Sequence, residues 1–276
     1  MPADLHIHTT FSDGTLGPEE IVRLAKKAGL TTIAITDHDV VAGIDQAQQA
    51  GQAVGLEVIP GIELTTEDLD TEIHILGYFI DHHDPGLIEI ITRIQKSREE
   101  RIFKICEKLK GLGVDLGPEK VFELAGHRAA GRPHVARALL ADGHIKDFKE
   151  AFIRYIGFNG PAYVSHYKLS PEEAIKLVMA AGGVPVYGHP AVSNRDQVIP
   201  ELIKAGLAGI EAYYGGHNHS QTRHYLKLAE KYGLLVTGGS DFHGGSTGRE
   251  IELGQLSLAD ELMEKLRNEH LRRNKS

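Results

Sequence analysis

His6 and His8 stand one residue apart in Asp4-Leu5-His6-Ile7-His8, and on a strand this spacing projects both imidazoles from one face, as a chelating pair does. Asp241 and His243 repeat the spacing in Ser240-Asp241-Phe242-His243. Five further residues keep similar company: Asp13 in Ser12-Asp13-Gly14, His38 in Thr36-Asp37-His38-Asp39, Glu63 in Gly61-Ile62-Glu63, His74 in Ile73-His74-Ile75-Leu76 and His189 in Tyr187-Gly188-His189-Pro190. Taken singly, Asp13 reads equally well as a turn residue, and His74 as a core histidine with a hydrogen bond. The crowding of three ionisable groups at Asp37-His38-Asp39 is costly unless a cation neutralises it. Six of the sixteen histidines and three carboxylates thus form one candidate set of metal ligands. The single Cys106 excludes an intrachain disulfide and a cysteine-based metal site. Imidazole and carboxylate donors suit manganese, iron or zinc, and differ from the all-oxygen shell of calcium or magnesium.

The elements that must position these residues follow a repeat. Five times an amphipathic helix runs through glycine into a short apolar strand and meets a polar residue. The segments are Lys27-Ala28-Gly29-Leu30 into Thr32-Ile33-Ala34-Ile35-Thr36, and Ala53-Val54-Gly55-Leu56 into Glu57-Val58-Ile59. Later come Ala181-Gly182-Gly183 into Val184-Pro185-Val186-Tyr187, Ala205-Gly206-Leu207 into Gly209-Ile210, and Tyr232-Gly233-Leu234 into Leu235-Val236-Thr237. Glycine just past a helix is the expected left-handed cap, and strands this short and apolar suit burial on both faces. Alternating helices and buried strands predict a parallel sheet with the polar residues at its carboxyl edge. Ligands from at least five strands favour a closed or distorted barrel, which brings those ends together, over an open sheet.

Residues 82–160 break the rhythm. A helical run over 85–110, with Leu87, Ile90, Ile91, Ile94, Ile102, Ile105 and Leu109 largely at helical spacing, leads into shorter helices near 118–124 and 133–140. This predicts an α-helical insert between two barrel segments, 1–81 and 161–276. The barrel pattern resumes at Ser170-Pro171-Glu172-Glu173, a capping box with proline at the first helical position, and the chain closes with a charged helix over 259–276. No stretch approaches the roughly 18–20 apolar residues of a membrane span, so the expected location is the cytoplasm. A net charge of -8 argues against a nonspecific nucleic-acid coat, though bound dications would reverse the local field for an anionic substrate. His82, His83, His127, His144, His166, His224 and His270 read as loop or helix-surface residues. His217-Asn218-His219 imitates the first pair but sits in a glycine-rich loop and reads as a substrate-facing or solvated loop over a fourth metal site, and Glu211 reads as a partner behind a ligand or a buried strand carboxylate.

The motifs Asp4-Leu5-His6-Ile7-His8-Thr9, Thr36-Asp37-His38-Asp39, Gly61-Ile62-Glu63, Gly188-His189-Pro190 and Ser240-Asp241-Phe242-His243 resemble those of the PHP (polymerase and histidinol phosphatase) superfamily. With Gly131-Arg132-Pro133-His134-Val135-Ala136-Arg137, the chain resembles the stand-alone subgroup of nucleotide 3',5'-bisphosphate and AMP phosphatases and the RNase AM type of 5'-to-3' exonuclease. The resemblance implies a distorted (β/α)7 barrel with two or three divalent metal ions, manganese first, with iron or zinc as alternatives. It implies one ion on His6, His8, Glu63 and Asp241, a second on Glu63, His74 and His189, and a third on Asp13, His38 and His243. It also places the insert over the barrel mouth as a lid.

Such a centre suits hydrolysis of phosphate esters by in-line attack of a metal-bound hydroxide. No side chain is marked as a covalent nucleophile by an adjacent base. The expected substrates are 3',5'-bisphosphonucleotides, AMP-like nucleotides or the 5' ends of short RNA. A histidinol-phosphate type of phosphomonoesterase and a non-catalytic metal-binding regulatory module are the rivals. Arg132 and His134 bracket a helix start and are the substrate-binding candidates, with a solvated helix cap as the plain alternative. Arg137, Arg98, Arg101 and Lys168 follow as weaker ones. Neither a membrane nor a stable protein partner is expected.

Overall fold

The computed structural model describes residues 2–69, 71–126, 130–165, 167–245, 251–256 and 258–275. His127 and His166, expected in loops or on helix surfaces, lie outside the described residues. The chain opens with β1 (Ala3–Ile7), α1 (Pro18–Lys27), β2 (Thr32–Ile35), α2 (Ile44–Val54), β3 (Glu57–Asp68) and β4 (Thr71–Tyr78). The helical stretch follows as α3 (Pro85–Gly111), α4 (Pro118–Ala125), α5 (Arg132–Ala141) and α6 (Phe148–Ala151), the last running on as a π turn. The alternation then resumes with α7 (Pro171–Ala180), β5 (Val184–Tyr187), α8 (Pro190–Ser193), α9 (Ile199–Ala205), β6 (Gly209–Tyr214), α10 (His219–Tyr232), β7 (Leu235–Gly239) and α11 (Asp260–Arg273). Local chemistry sets these bounds. Ser170 accepts from the Glu173 amide at 3.2 Å while its own amide donates to the Glu173 carboxylate at 2.8 Å, starting α7 as a capping box. α2 stops at Gly55, whose φ of 64° a residue with a Cβ adopts only at a cost.

Among the described residues seven strands form one sheet in sequence order. The far edges meet: Ile7 bridges Phe242, and the His8 amide donates to the Phe242 carbonyl at 2.9 Å. The result is a nearly closed barrel, as the ligand count per strand predicts. Closure depends on Gly239, because a Cβ there would land on His6. We expect Gly239→Ala to lower stability by about 1–3 kcal/mol through overpacking. Urea unfolding reads this directly, and unchanged stability would mean that β1 and β7 do not pack so closely.

The sheet is not all parallel, as the alternation predicts it to be. β4 runs antiparallel to both β3 and β5. The physical reason is the connection: two residues separate β3 from β4, and Leu69 there has a φ of 44°. So short a link returns the chain as a hairpin, whereas a parallel crossover needs about a dozen residues or more. β2 ends opposite Pro60, but β3 runs on to Asp68, so the β3–β4 hairpin stands out beyond the barrel edge.

The core divides inside α3. Leu87, Ile91 and Ile94 pack with the barrel's main cluster, while Ile102, Ile105 and Leu109 join a separate apolar cluster with α4, α5 and the segment after α6. α11 buries Met263 and Leu266 beside β1 and β5 residues. Among the described residues no helix is long and apolar enough to cross a membrane.

Candidate metal centre

The carboxyl ends of the strands place the predicted ligands together. His6 and His8 leave β1 fully buried. The Nε2 atom of His6 lies 3.1 Å from Glu63 Oε2 and 3.6 Å from Asp241 Oδ1, and that of His8 lies 3.1 Å from each of the same oxygens. Glu63, midway along the long β3, is the hub. Its Oε1 meets His74 Nδ1 at 2.5 Å and His189 Nε2 at 2.8 Å, and its Oε2 also meets His38 Nδ1 at 3.2 Å. Asp13 completes the other side, 3.2 Å from His243 Nε2 and 3.8 Å from His8 Nδ1.

Three sets of donor atoms lie within 4.8 Å of one another: His6, His8, Glu63 and Asp241; His8, Asp13, His38 and His243; and His38, Glu63 and His74. Eight of the nine predicted ligands fall in these sets, and His189 joins them through Glu63 at 2.8 Å. His74 arrives by a different route from the strand-end rule: it faces Thr65 within the reversed β4, on the part of the hairpin that overhangs the edge. His8 Nε2 and His38 Nδ1 are buried without a hydrogen bond of acceptable geometry. Nitrogens left so are expensive unless something accepts their lone pairs, and six imidazoles around shared carboxylates fit divalent metal ions.

The electrostatics agree with that fit. Burial alone would lower the His8 pKa, but the carboxylates of Asp241 and Glu63, each 3.1 Å from its Nε2, outweigh it and raise it to about 9. Burial likewise opposes, and Glu63 and Glu72 overcome, a rise at His74 to about 10. His38 goes the other way, pushed down to about 3 by burial that Glu63 and Asp13 do not offset. Burial would raise Glu63 and Asp13, yet the surrounding imidazoles hold both carboxyls well below the usual range.

Behind the ligands, Glu211 bridges two of them. Its Oε1 pairs with His6 Nδ1 at 2.9 Å and its Oε2 accepts from the His189 amide at 2.7 Å, which fixes the His6 ring with Nε2 inward. Three residues of this edge, Asp39, His189 and Asp241, hold φ values of 52°, 25° and 55°. Positive φ in such residues persists only where the surroundings enforce it, and it gathers at functional sites.

The crowding at Asp37-His38-Asp39 resolves differently from the expectation that a cation must neutralise all three. Asp37 accepts from the Thr9 amide at 2.7 Å, the Thr9 hydroxyl at 2.6 Å and the Ser12 hydroxyl at 2.5 Å. Asp39 accepts from the Thr65 amide at 3.0 Å and pairs with Arg98. Only His38 faces the ligand cluster.

A cavity of about 200 Å³ is lined by Asp13, His38 and His74 of the cluster together with Arg98, Arg101 and Arg132. Burial, with Arg132 and Arg98 nearby, lowers Arg101 to about 9. Arg132 also donates to Glu72 at 3.1 Å. His134 lines the cavity too, but its Nδ1 accepts from the Gly131 amide at 3.2 Å, so the ring serves partly as the cap of α5. Arg137 donates to the Asp13 carbonyl at 2.6 Å and steadies that loop. Lys168 meets Glu67 at 2.8 Å and Glu72 at 2.9 Å. Glu72, which also meets His74 Nε2 at 3.2 Å, escapes the sequence reading. Its spacing of two from His74 on one strand is the signal that could have found it.

The imitation pair is in none of the donor sets, although His217 packs on Tyr214, whose ring lies beside His189. His217 pairs with the Ala212 carbonyl at 3.1 Å, and Asn218 caps α10 by accepting from the Ser220 and Gln221 amides at 2.9 and 3.0 Å. His224 pairs with Asp196 at 2.6 Å, His144 with the Asp115 carbonyl at 3.2 Å, and His270 stacks on Phe79.

Known proteins resemble this chain in sequence and fold. The family model described as the PHP domain matches residues 4–162. A 5'-3' exoribonuclease of Haemophilus influenzae is 33% identical over 266 residues, covering 94% of this chain and 96% of that one. A 3',5'-nucleoside bisphosphate phosphatase of Chromobacterium violaceum is 31% identical over 255 residues, covering 90% of each. A solved structure from Bifidobacterium adolescentis, described as a candidate metal-dependent phosphoesterase, superposes with a TM-score of 0.88 at 32% identity, covering 96% of this chain and 94% of that one. Family model, near full-length relatives and a barrel edge built for metal ions agree, and the protein belongs to the PHP domain family as a metal-dependent phosphoesterase.

Proposed function

We propose that the protein hydrolyses nucleotide phosphates: 3',5'-bisphosphonucleotides, AMP-like nucleotides or the 5' ends of short RNA. The cavity that joins the ligand cluster to Arg98, Arg101 and Arg132 carries this reading. One phosphate would meet the metal ligands, and the guanidiniums lining the same cavity suit a second. Histidinol phosphate, with one phosphate and a cationic amine, would set its positive charge against three arginines. The C. violaceum and H. influenzae relatives act on nucleotides and RNA by name, in keeping with this choice.

In this reading His6, His8, Glu63 and Asp241 hold one ion, Glu63, His74 and His189 a second, and Asp13, His38 and His243 a third, with manganese first and iron or zinc as alternatives. Divalent ions bound there would supply Lewis acidity to activate water and to stabilise the charge of an in-line displacement. The chain's own part is positional. Glu211 orients His6, the Tyr214 hydroxyl donates to Asp241 Oδ2 at 2.9 Å, and Glu72 links His74 to Arg132. Residues 1–81 and 161–276 form the metal-binding barrel. Residues 82–160 act as the lid, supported by the separate apolar cluster of α4 and α5.

The test is phosphate release by manganese-loaded protein from adenosine 3',5'-bisphosphate, AMP, a 5'-phosphorylated oligoribonucleotide and histidinol phosphate. We expect turnover of the nucleotides, and we expect Arg132→Ala to raise KM for the bisphosphate by about 10- to 100-fold, with less effect on AMP. Turnover of histidinol phosphate alone would sink the proposal.

A further inference from the structure

A second group of metal-binding side chains shares no residue with the first. Asp45 lies in the first turn of α2, and His82 and His83 lie in the link between β4 and α3. Consecutive residues of an extended chain point to opposite sides, yet both of these rings reach one carboxylate. The link is wound to allow it. The Asp81 amide donates to the Ala181 carbonyl at 2.7 Å, the His83 amide to Asp81 Oδ1 at 3.0 Å, and the Asp84 amide to the Asp81 carbonyl at 3.0 Å. His82 Nε2 then lies 2.8 Å from Asp45 Oδ1 and His83 Nε2 3.5 Å from the same atom, with the two ring centroids 4.1 Å apart.

Tetrahedral zinc bound at about 2.0–2.1 Å needs donors about 3.3–3.4 Å apart. The His83–Asp45 spacing is already close to that, and the His82–Asp45 contact has to open by about half an ångström. The parts that must move are free to do so: the Asp45 and His83 side chains are 66% and 68% exposed, while that of His82 is 12% exposed and held in place. Val40, Val41, Ile88 and Ile91 line the hollow beside them and supply an apolar flank. Neutral imidazoles with one carboxylate select late first-row ions over magnesium or calcium.

We propose that Asp45, His82 and His83 bind one zinc-type transition-metal ion, with water completing its shell. The ion ties α2 to the segment entering α3, and so fastens the start of the helical stretch to the barrel. The proposal does not depend on which phosphate ester the main site takes.

The experiment loads the full chain with manganese, dialyses it against zinc and counts both metals per chain, so that exchange within the main cluster leaves the sum unchanged. Wild type is expected to hold one more ion per chain than His82→Gln/His83→Gln and than Asp45→Asn, and zinc is expected to raise the Tm of wild type by more than that of either variant. Retained phosphoesterase activity shows that the variants are folded. Equal metal sums in wild type and both variants would overturn the proposal.

Discussion

Replacing Glu63 by alanine is expected to remove bound metal and activity together, lowering kcat/KM by about 10³-fold or more, on the order of 4 kcal/mol in the barrier. The size follows from position. Five imidazoles, those of His6, His8, His38, His74 and His189, lie within 3.2 Å of its two oxygens. A ligand at the rim can be replaced by water, but one shared by so many neighbours removes the common charge around which they are arranged. Glu63→Gln keeps the shape and halves the chemistry, since an amide leaves one neutral oxygen acceptor and adds a donor facing imidazoles. It should bind metal poorly while remaining folded. Metal content and turnover measured on the same sample decide the matter, and full turnover with alanine would show that Glu63 is not the shared ligand.

Stripping the metal with a chelator is expected to abolish activity and to reverse how stability responds to pH. In the metal-free cluster His8 and His74 have their pKa values raised from the ordinary 6.5 to about 9 and about 10. Groups raised in this way stabilise the fold fully below pH 6.5, and the contribution is lost as pH rises through the folded values. His38, lowered to about 3, has the opposite sign and costs stability as pH falls below 6.5. Metal-free protein should therefore be most stable near the ordinary imidazole pKa and lose stability steadily up to about pH 10. Metal binds the deprotonated rings, so the loaded protein should gain over the same range. Thermal unfolding with and without chelator at about pH 6.5, 8 and 9.5 compares them, and parallel trends would refute the account.

The chemistry of the site was legible in the sequence where one local rule applied. The i, i+2 pairs at His6/His8 and Asp241/His243, and polar residues after short apolar strands at His38 and His189, need only strand geometry. His74 yielded to residue type but not to topology, because the reversal of β4 is set by the two residues of a turn. Arg98 and Arg101 stand in the sequence only as weaker substrate candidates on a long helix, and the packing of α3 against the barrel is what brings them to the cavity. Asp37 and Asp39 show the converse. Their charge suggested a cation, while Thr9, Ser12 and Arg98, remote in sequence, satisfy them. Glu72 is hidden because two of its partners are remote in sequence: Arg132 at the start of α5 and Lys168 in the link before α7.

The bridge between Ile7 and Phe242 joins the beginning of the chain to a point near its end. During synthesis β1 therefore emerges with one edge open, and keeps it open until β7 has left the ribosome. The last strand seals the barrel and delivers Asp241 and His243 to the cluster in one event. A product broken off earlier has neither a covered edge nor a finished centre, and an uncovered edge pairs readily with other chains. A metal that binds only the finished cluster would favour the closed barrel over its open precursors, and so would act on folding as well as on turnover.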